Sequence, residues 1–276
     1  TVVINTIMAP LFIFMFDWGI RGAAIATVSA QVIALLWQLK QFNNANELLH
    51  FRRGIFRLKR KIVFDSLAIG MSPFLMNLAA CLIVILINQG LKKYGGDLAI
   101  GAFGIVNRLV FIVVMIVMGL NQGMQPIAGY NFGAKLYDRV NKVLKLTIIY
   151  ATCVTTFGFL VGMLAPNLVV GIFTSDAELT ELSATGLRIT VMFFPIIGFQ
   201  MVTSNFFQSI GMAGKAIFLS LTRQMLILLP CLLILPHFFG VAGVWYSMPV
   251  SDLLASLIAL VMLVYQFRKF KTAAAH

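Results

Sequence analysis

The chain has 276 residues, of which 60% are hydrophobic and only 11% are charged. A soluble domain carries about a quarter of its residues as charged side chains, so this composition indicates an integral membrane protein whose main partner is the lipid bilayer. The net charge of +12 does not indicate a nucleic-acid partner, because the basic residues lie in short connectors between apolar runs, where they orient a membrane protein.

Apolar runs follow one another along the whole chain. Most are about 20 residues or longer, which is the length an α-helix needs to cross roughly 30 Å of hydrocarbon. They lack the period-two alternation of a membrane β-strand. The sequence therefore predicts an all-α integral membrane protein with eight spanning helices, at residues 1–16, 20–39, 67–88, 100–122, 144–164, 187–210, 216–239 and 241–267.

The most basic connector lies at residues 43–65, between the second and third runs. Together with Lys40 it holds seven of the 21 Lys and Arg of the chain. Such a cluster marks a cytoplasmic loop, because basic residues are retained on that side of the membrane. The first helix is therefore expected to run outward, and the C-terminus is expected to be cytoplasmic.

Two outer turns carry the same glycine pattern, each preceded by an aromatic residue. Gly19-x-x-Gly22 joins the first two helices, and Gly240-x-x-Gly243 joins the last two, 221 residues later (19 to 240 and 22 to 243). Both helix pairs run outward and then inward, which predicts a parallel repeat about an axis along the membrane normal. A complete first copy would need about four more helices upstream of Thr1.

Four segments carry recognisable motifs: Asn5-x-x-x-Ala9-Pro10, Trp18-Gly19-Ile20-Arg21-Gly22-Ala23, Gly70-Met71-Ser72-Pro73 and the segment at 125–134. Together they resemble the multidrug and toxic compound extrusion (MATE) family, in particular its bacterial MepA-like branch. The first two segments resemble helices five and six of that family, the third the start of helix seven, and the fourth the end of helix eight and the following loop. The resemblance covers essentially the whole chain.

The resemblance implies a two-lobe bundle of six plus six helices around a central cleft, of which this chain is a fragment. Residues 1–42 would be the last two helices of the N-terminal lobe, and 43–65 the basic cytoplasmic linker. Residues 66–267 would form the six-helix C-terminal lobe and 268–276 a cytoplasmic tail. The expected location is the bacterial inner (plasma) membrane. The expected partners are the missing N-terminal helices of the same protein, in a molecule that is a monomer when intact.

The implied function is secondary active multidrug efflux. Cationic amphiphilic compounds would be exported by Na⁺ or H⁺ antiport through alternating access of the two lobes, with no cofactor beyond the coupling ion. Two alternatives stay open: a flippase-type member of the same superfamily, and a non-transporting membrane protein that has lost ion coupling.

The family's first-lobe cation site, carried over by motif, falls on Asn5 and Thr27. Ala9 stands where the family has an Asp, so the acidic group that would hold a cation in a low dielectric is missing from this half of the site. Some members also carry acids on helices seven and ten, but the matching runs 67–88 and 187–210 contain none. We therefore expect no Na⁺ site in the second lobe.

Polar residues inside the later runs are candidates for lining a substrate cavity. Buried amides in hydrocarbon need partners or water, and an intrahelical guanidinium needs them more. The candidates are Asn77, Asn107, Arg108, Gln200 and Asn205. Hydrogen bonding between helices is the alternative role for each amide. Arg108 is predicted to be the single intramembrane cation, and the nine acidic residues are assigned to loops.

The sequence gives little support for an enzymatic function, because it lacks the common catalytic motifs. The sequence has no HExxH, GxSxG, P-loop or Asp-rich diphosphate motif. His50 falls in the linker and His237 at an outer helix end, so His and Cys cannot assemble one metal site. We therefore predict no catalytic residues and no bound metal.

Overall fold

The computed structural model describes residues 1–44, 50 and 59–274. The predicted linker at 43–65 falls largely on 45–49 and 51–58, which lie outside the described residues. The described chain is helical throughout, with no strand in these ranges, and the predicted all-α membrane fold is confirmed. The helices in chain order are α1 (Val2–Pro10), a first π-helical segment (Leu11–Met15), α2 (Gly19–Phe42), α3 (Arg60–Gly133), α4 (Tyr137–Leu164), α5 (Pro166–Val170), α6 (Ala177–Val191), α7 (Phe194–Ser209), α8 (Ala213–Leu221), a second π-helical segment (Thr222–Leu228), α9 (Leu229–Phe239) and α10 (Val241–Ala274).

Helix α3 reverses direction at Gly96. The backbone there leaves the helical region, with φ +66° and ψ −162°, a conformation open mainly to glycine. A straight helix of 74 residues would be roughly 110 Å long, several times the thickness of a bilayer. Val84 before the turn and Val110 after it line the same cavity, so the two halves run side by side. The predicted runs 67–88 and 100–122 are these two halves.

Helices α6 and α7 form one broken span, bent by 54°. The break falls at Met192 and Phe193, and Pro195 occupies the first turn of α7, where its missing N–H breaks no hydrogen bond. Helix α6 begins at Ala177, capped by Asp176, whose Oδ1 accepts hydrogen bonds from the backbone N–H groups of Glu178 and Leu179. The predicted run at 187–210 therefore starts about three turns too late.

Five described helices are long and apolar enough to cross a membrane, and the bent pair makes a sixth. The span Phe74–Gly133 counts as one of the five although it contains the turn at Gly96. Val2–Met15 is shorter. When α3 is counted as two helices, the bent pair as one span and Val2–Met15 as a further helix, the helices correspond in order to the eight predicted runs.

The chain divides into two compact units, Thr1–Leu67 (unit 1) and Ala68–His276 (unit 2). Unit 1 contains α1, the first π-helical segment and α2, and unit 2 contains most of α3 and all later helices. The assignment of these segments to two lobes, a linker and a tail stays a prediction. Helix α10 continues through 268–274, without a break before the predicted tail.

Unit 2 has two apolar cores and close helix packing. One core surrounds Leu91, Phe103 and Trp245, and the other surrounds Phe206 and Leu219. Glycines set the helix separations that these cores require. A Cβ at Gly158 would lie 2.9 Å from Val113, one at Gly162 would lie 3.0 Å from Val191, and one at Gly198 would lie 2.9 Å from the Ala151 carbonyl oxygen.

The two glycine turns identified in the sequence share two features, a positive φ at the first glycine and a close backbone contact at the second. Gly19 and Gly240 both have positive φ, +50° and +58°. A Cβ at Gly22 would lie 2.5 Å from the Phe12 carbonyl oxygen, and one at Gly243 would overlap the Leu235 carbonyl oxygen. In each turn, the first glycine turns the chain, and the second lets the outgoing helix pack on the end of the incoming one.

Candidate functional site

Unit 2 contains a cavity of about 220 Å³ between the two halves of α3, the bent pair, the second π-helical segment and α10. Its wall is mainly apolar, formed by Val84, Ile87, Phe103, Val106, Val110, Val114, Phe194, Ile197, Met201, Leu228 and Met248. Its polar lining consists of Asn107, Thr190, Arg223, Ser251 and Asp252. We call this space the unit 2 cavity. A mostly apolar pocket with a few convergent polar groups is typical of a small-molecule site.

An ion pair forms one side of the cavity. Arg223 donates from Nε to Asp252 Oδ1 at 2.6 Å, and this is the one salt bridge recorded within the described ranges. Asp252 is 4% exposed and Arg223 is 33% exposed. Asp252 lies near the middle of the span Val241–Phe267, and Arg223 lies inside the span Gly214–Phe239. A charge pair in the hydrocarbon region is costly to place and typically marks an ion or substrate pathway.

Arg223 sits on a π-helical segment, not on regular α-helix. Such segments occur frequently at functional sites because the wider turn changes the direction of the side chains that follow. The Thr222 hydroxyl and the Gln224 Oε1 are buried and have no hydrogen-bond partner in the described structure. The polar groups beside Arg223 are therefore not locked into a network.

Sequence analysis missed this pair and was wrong on two points. It assigned every acidic residue to the loops, whereas Asp252 is buried within α10. It also took Arg108 for the single intramembrane cation, whereas Arg223 lies within a span as well. The signal was present in both cases, since a charged residue well inside an apolar run is itself a pointer to function.

The predicted cavity residues have different environments. Asn107 lines the unit 2 cavity, and the neighbouring Arg108 is exposed and is not part of its described lining. Gln200 is buried without lining the cavity, and Asn77 is exposed on α3. Asn205 donates from Nδ2 to the Met201 carbonyl oxygen at 2.9 Å.

The other amide contact of Asn205 joins two helices. Its Oδ1 accepts a hydrogen bond from Gln125 Nε2 at 3.4 Å, linking α7 to α3. This is the interhelical role that was the alternative for each amide.

The predicted cation-site residues of unit 1 lie on α1 and α2. Asn5 is half-buried, and its Oδ1 is buried without a hydrogen-bond partner among the described residues. Thr27 is exposed and donates to the Ala23 carbonyl oxygen at 2.9 Å. Ala9 is half-buried, and neither helix contains an acidic residue. An amide oxygen is thus free to bind a donor or cation here, but these helices supply no carboxylate.

A second polar contact joins helices at the far end of α10. Lys215 donates from Nζ to Gln266 Oε1, and its Nζ lies 5.3 Å from the centre of the Phe207 ring. The buried amide and the aromatic face together hold the ammonium group. No group of three or more His, Cys, Asp or Glu able to hold a metal occurs within the described parts of the chain.

Comparison with known proteins gives the same family from sequence and from structure. The MatE family model matches residues 68–234. The multidrug export protein MepA of Staphylococcus aureus (strain MSSA476) is 28% identical over 269 residues, covering 96% of this chain and 58% of that protein. MepA of Staphylococcus saprophyticus is 25% identical over 268 residues, covering 97% and 58%.

Solved structures give the same result. The MATE multidrug transporter DinF-BH superposes with a TM-score of 0.83 at 36% identity, covering 97% of this chain and 60% of that one. An outward-facing multidrug resistance MATE family transporter gives a TM-score of 0.85 at 21% identity, covering 98% and 61%, which supports the fold alone. The chain spans about three fifths of the length of these proteins. Because the family model matches more than half of its residues, the chain belongs to the MatE family.

Proposed function

We propose that the protein to which this chain belongs exports amphiphilic cations, driven by the entry of Na⁺ or H⁺ through alternating access of two lobes. The observation that carries the proposal is the unit 2 cavity, which combines aromatic, thioether and aliphatic walls with one buried carboxylate. Phe103 and Phe194 offer aromatic faces, and Met201 and Met248 offer flexible, polarizable surface, which together suit varied flat cations. The related MepA proteins are named multidrug export proteins.

The bend between α6 and α7 supports movement of the cavity wall. Phe194 and Ile197 follow the 54° break and line the cavity directly. A broken helix has fewer backbone hydrogen bonds at the break, so the two halves are able to change their angle without unfolding. We propose that this span changes its bend as the site opens to opposite sides of the bacterial inner membrane, with the C-terminus in the cytoplasm.

The proposal is tested with the full-length protein in liposomes. Ethidium is added outside, and a pH gradient or a Na⁺ gradient is imposed across the membrane in separate experiments. We expect one gradient to drive ethidium accumulation above that of protein-free liposomes. Equal uptake with and without protein under both gradients would overturn the proposal.

Ala9 favours a second candidate, a family member that has lost ion coupling. It occupies α1 one turn after Asn5, on the same face, where the resemblance places a carboxylate. If coupling has been lost there, Ala9→Asp in the full-length protein should create gradient-driven ethidium uptake that the parent lacks. Ala9→Asn is the matched control, since it has nearly the same size without the charge.

The flippase-type alternative has less support from the cavity. A site for an anionic headgroup would be expected to carry excess positive charge. The cavity has one guanidinium, on Arg223, and Asp252 neutralises it.

A further inference from the structure

Asp252 is the one acidic residue that lies deep within a described membrane span. The other acids of these spans are at turns or ends: Asp97 follows the turn at Gly96, and Asp138 is in the first turn of α4. Glu178 and Glu181 lie in the first two turns of α6. Asp252 is 4% exposed, and its second carboxylate oxygen has no hydrogen bond recorded in the described structure. Apart from Arg223, no other residue in the described lining of the cavity is charged.

The pair is neutral as a whole, which explains how it is tolerated at this depth. An isolated carboxylate in hydrocarbon would cost far more than one with a guanidinium at hydrogen-bond distance. Arg223, however, is one-third exposed, and it sits on a π-helical segment with unpaired polar neighbours. Asp252 is therefore the buried member of the pair, and Arg223 is the partly exposed one.

The geometry points to Asp252 as a carboxylate that takes up the driving proton in unit 2, with Arg223 as the internal counter-ion that it releases. This inference rests on the proposed export function and assigns to the second unit a coupling group that sequence analysis did not expect there. In the step itself, a hydronium ion transfers its proton to the carboxylate of Asp252 and leaves as a water molecule. The charged hydrogen bond from Arg223 Nε is lost, Arg223 keeps its own proton, and the charge of the site changes from zero to +1.

A proton fits this site better than a metal cation does. Hard cations need several oxygen ligands at once. The hydroxyls of Thr190 and Ser251 donate to the carbonyl oxygens of Gly186 at 2.8 Å and Met248 at 2.7 Å, so their oxygens remain available as neutral ligands. A metal cation bound by Asp252 would, however, lie beside the guanidinium of Arg223, which repels it. A proton needs only the second carboxylate oxygen of Asp252, which accepts no recorded hydrogen bond. It can therefore bind while Arg223 is still in place, whereas Na⁺ would have to displace the guanidinium.

Protonation would act on the cargo through charge. In the paired state the cavity is neutral and apolar, and it accepts a cation in its aromatic and thioether walls. In the protonated state the uncompensated guanidinium of Arg223 stays at the wall and repels a bound cation. Proton entry would therefore weaken cation binding at this site, which is the sign that an antiporter requires.

Other charged groups of the elements packed against α10 do not lie in the cavity lining. Lys215 on α8 is bound to Gln266, nearly four turns beyond Asp252. Glu178 and Glu181 on α6 line a separate open cleft together with Gly95 and Val241. The remaining titratable groups on α6 and α9 are Arg188, Cys231 and His237. Helix α3 also packs against α10, and its charged residues within unit 2 are Lys92, Lys93, Asp97 and Arg108. None of these groups is in the described lining. Arg223 is therefore the charged group that faces Asp252.

The test uses the full-length protein and a readout that is independent of transport. Infrared difference spectra between alkaline and acidic buffer report the C=O stretch of a newly protonated carboxyl group. We expect such a band in the parent protein and its loss in Asp252→Asn. Lys215→Met is the matched control, because it removes a basic contact to the same helix α10 and should leave the band in place. Asp252→Asn leaves the Arg223 charge unpaired, whereas the double variant Arg223→Gln with Asp252→Asn keeps the site neutral. Circular dichroism of both variants shows whether the loss of the band reflects misfolding.

Cation binding provides the second readout. Ethidium binding, measured by equilibrium dialysis, should weaken about fivefold or more on acidification of the parent protein, in the range typical of coupled sites. Asp252→Asn should abolish this pH dependence. The inference would be overturned if the infrared band survived in Asp252→Asn, or if ethidium binding in that variant kept the pH dependence of the parent. A spectral change produced by Na⁺ at constant pH would also overturn it. If the parent neither binds nor exports ethidium, the proposed function fails, while the infrared band still decides the role of Asp252.

Discussion

Arg223 Nε lies 2.6 Å from Asp252 Oδ1, and these two residues belong to consecutive spans joined by the tight turn at Gly240. The turn returns the chain directly alongside itself, so residues 29 positions apart in sequence meet within the bundle. Their pairing places a buried carboxylate and its counter-ion at the wall of an otherwise apolar cavity.

Removing one member of this pair should destabilise unit 2 more than removing both. Arg223→Met leaves the Asp252 charge buried and unpaired, and breaking a buried pair in this way costs about 3–5 kcal/mol. The exposed fraction of Arg223 reduces that figure, so we expect about 2–4 kcal/mol. The double variant with Asp252→Asn should recover most of the loss. Thermal unfolding of the purified proteins measures the stability loss of the single and of the double variant. Equal losses in the two variants would show that the pairing of Arg223 with Asp252 does not stabilise unit 2.

Gly186 is expected to tolerate no side chain. A Cβ there would lie 2.7 Å from the ring of Trp245, which is itself 2% exposed and packed against Phe103. Gly186→Ala should therefore force the indole to shift and cost about 1–3 kcal/mol. The shift of the indole should also change the near-ultraviolet circular dichroism of tryptophan. Gly104→Ala is the control, because nothing lies within 4 Å of a Cβ at that helical position; similar losses in both variants would rule out the Trp245 contact as the cause.

The turn within α3 should depend on glycine at position 96. Its φ of +66° and ψ of −162° are sterically unfavourable for any residue with a Cβ, although the surrounding space is open. Gly96→Ala should cost about 1–3 kcal/mol and lower the unfolding temperature. Gly119→Ala on the same helix, where the backbone is helical and a Cβ meets nothing within 4 Å, should be neutral or slightly stabilising. An equally stable Gly96→Ala protein would contradict the requirement for glycine at this position.

Filling the unit 2 cavity should block cation binding without unfolding the protein. Met201 is partly buried at the cavity wall, so Met201→Trp places an indole in a space of about 220 Å³. We expect ethidium affinity to fall at least about tenfold, equivalent to roughly 1.4 kcal/mol. The comparison is Met192→Trp, at an exposed position in the helix break and outside the cavity lining. Retained affinity in Met201→Trp would place the binding site elsewhere in the full-length protein.

Much of the architecture was predictable because it depends on local patterns. The apolar runs correspond in order to the helical segments, and both halves of α3 were separated correctly on either side of Gly96. The spacing of Gly19 and Gly240 identified two turns that both begin with a glycine of positive φ. The start of α6 was misplaced because its first turns are polar and capped by Asp176, so apolar run length did not reveal them.

The candidate site was only partly predictable. Asn107 was identified from its amide inside an apolar run, and it does line the unit 2 cavity. Asn205 was selected by the same criterion, yet it bonds to Gln125 and the Met201 carbonyl oxygen. The criterion finds polar side chains inside apolar runs, but it does not tell which side of a helix faces a cavity and which side faces another helix.

The sequence by itself determined the membrane class, the order of the helices, the repeated glycine turns and the family resemblance, because hydrophobicity, helix length and turn chemistry are properties of contiguous residues. Only the tertiary structure decided that Arg223 and Asp252 meet and that an apolar cavity opens beside them. The physical reason is that neutralising a charge in hydrocarbon requires a partner at hydrogen-bond distance. Which residue provides it depends on how separate helices cross and pack.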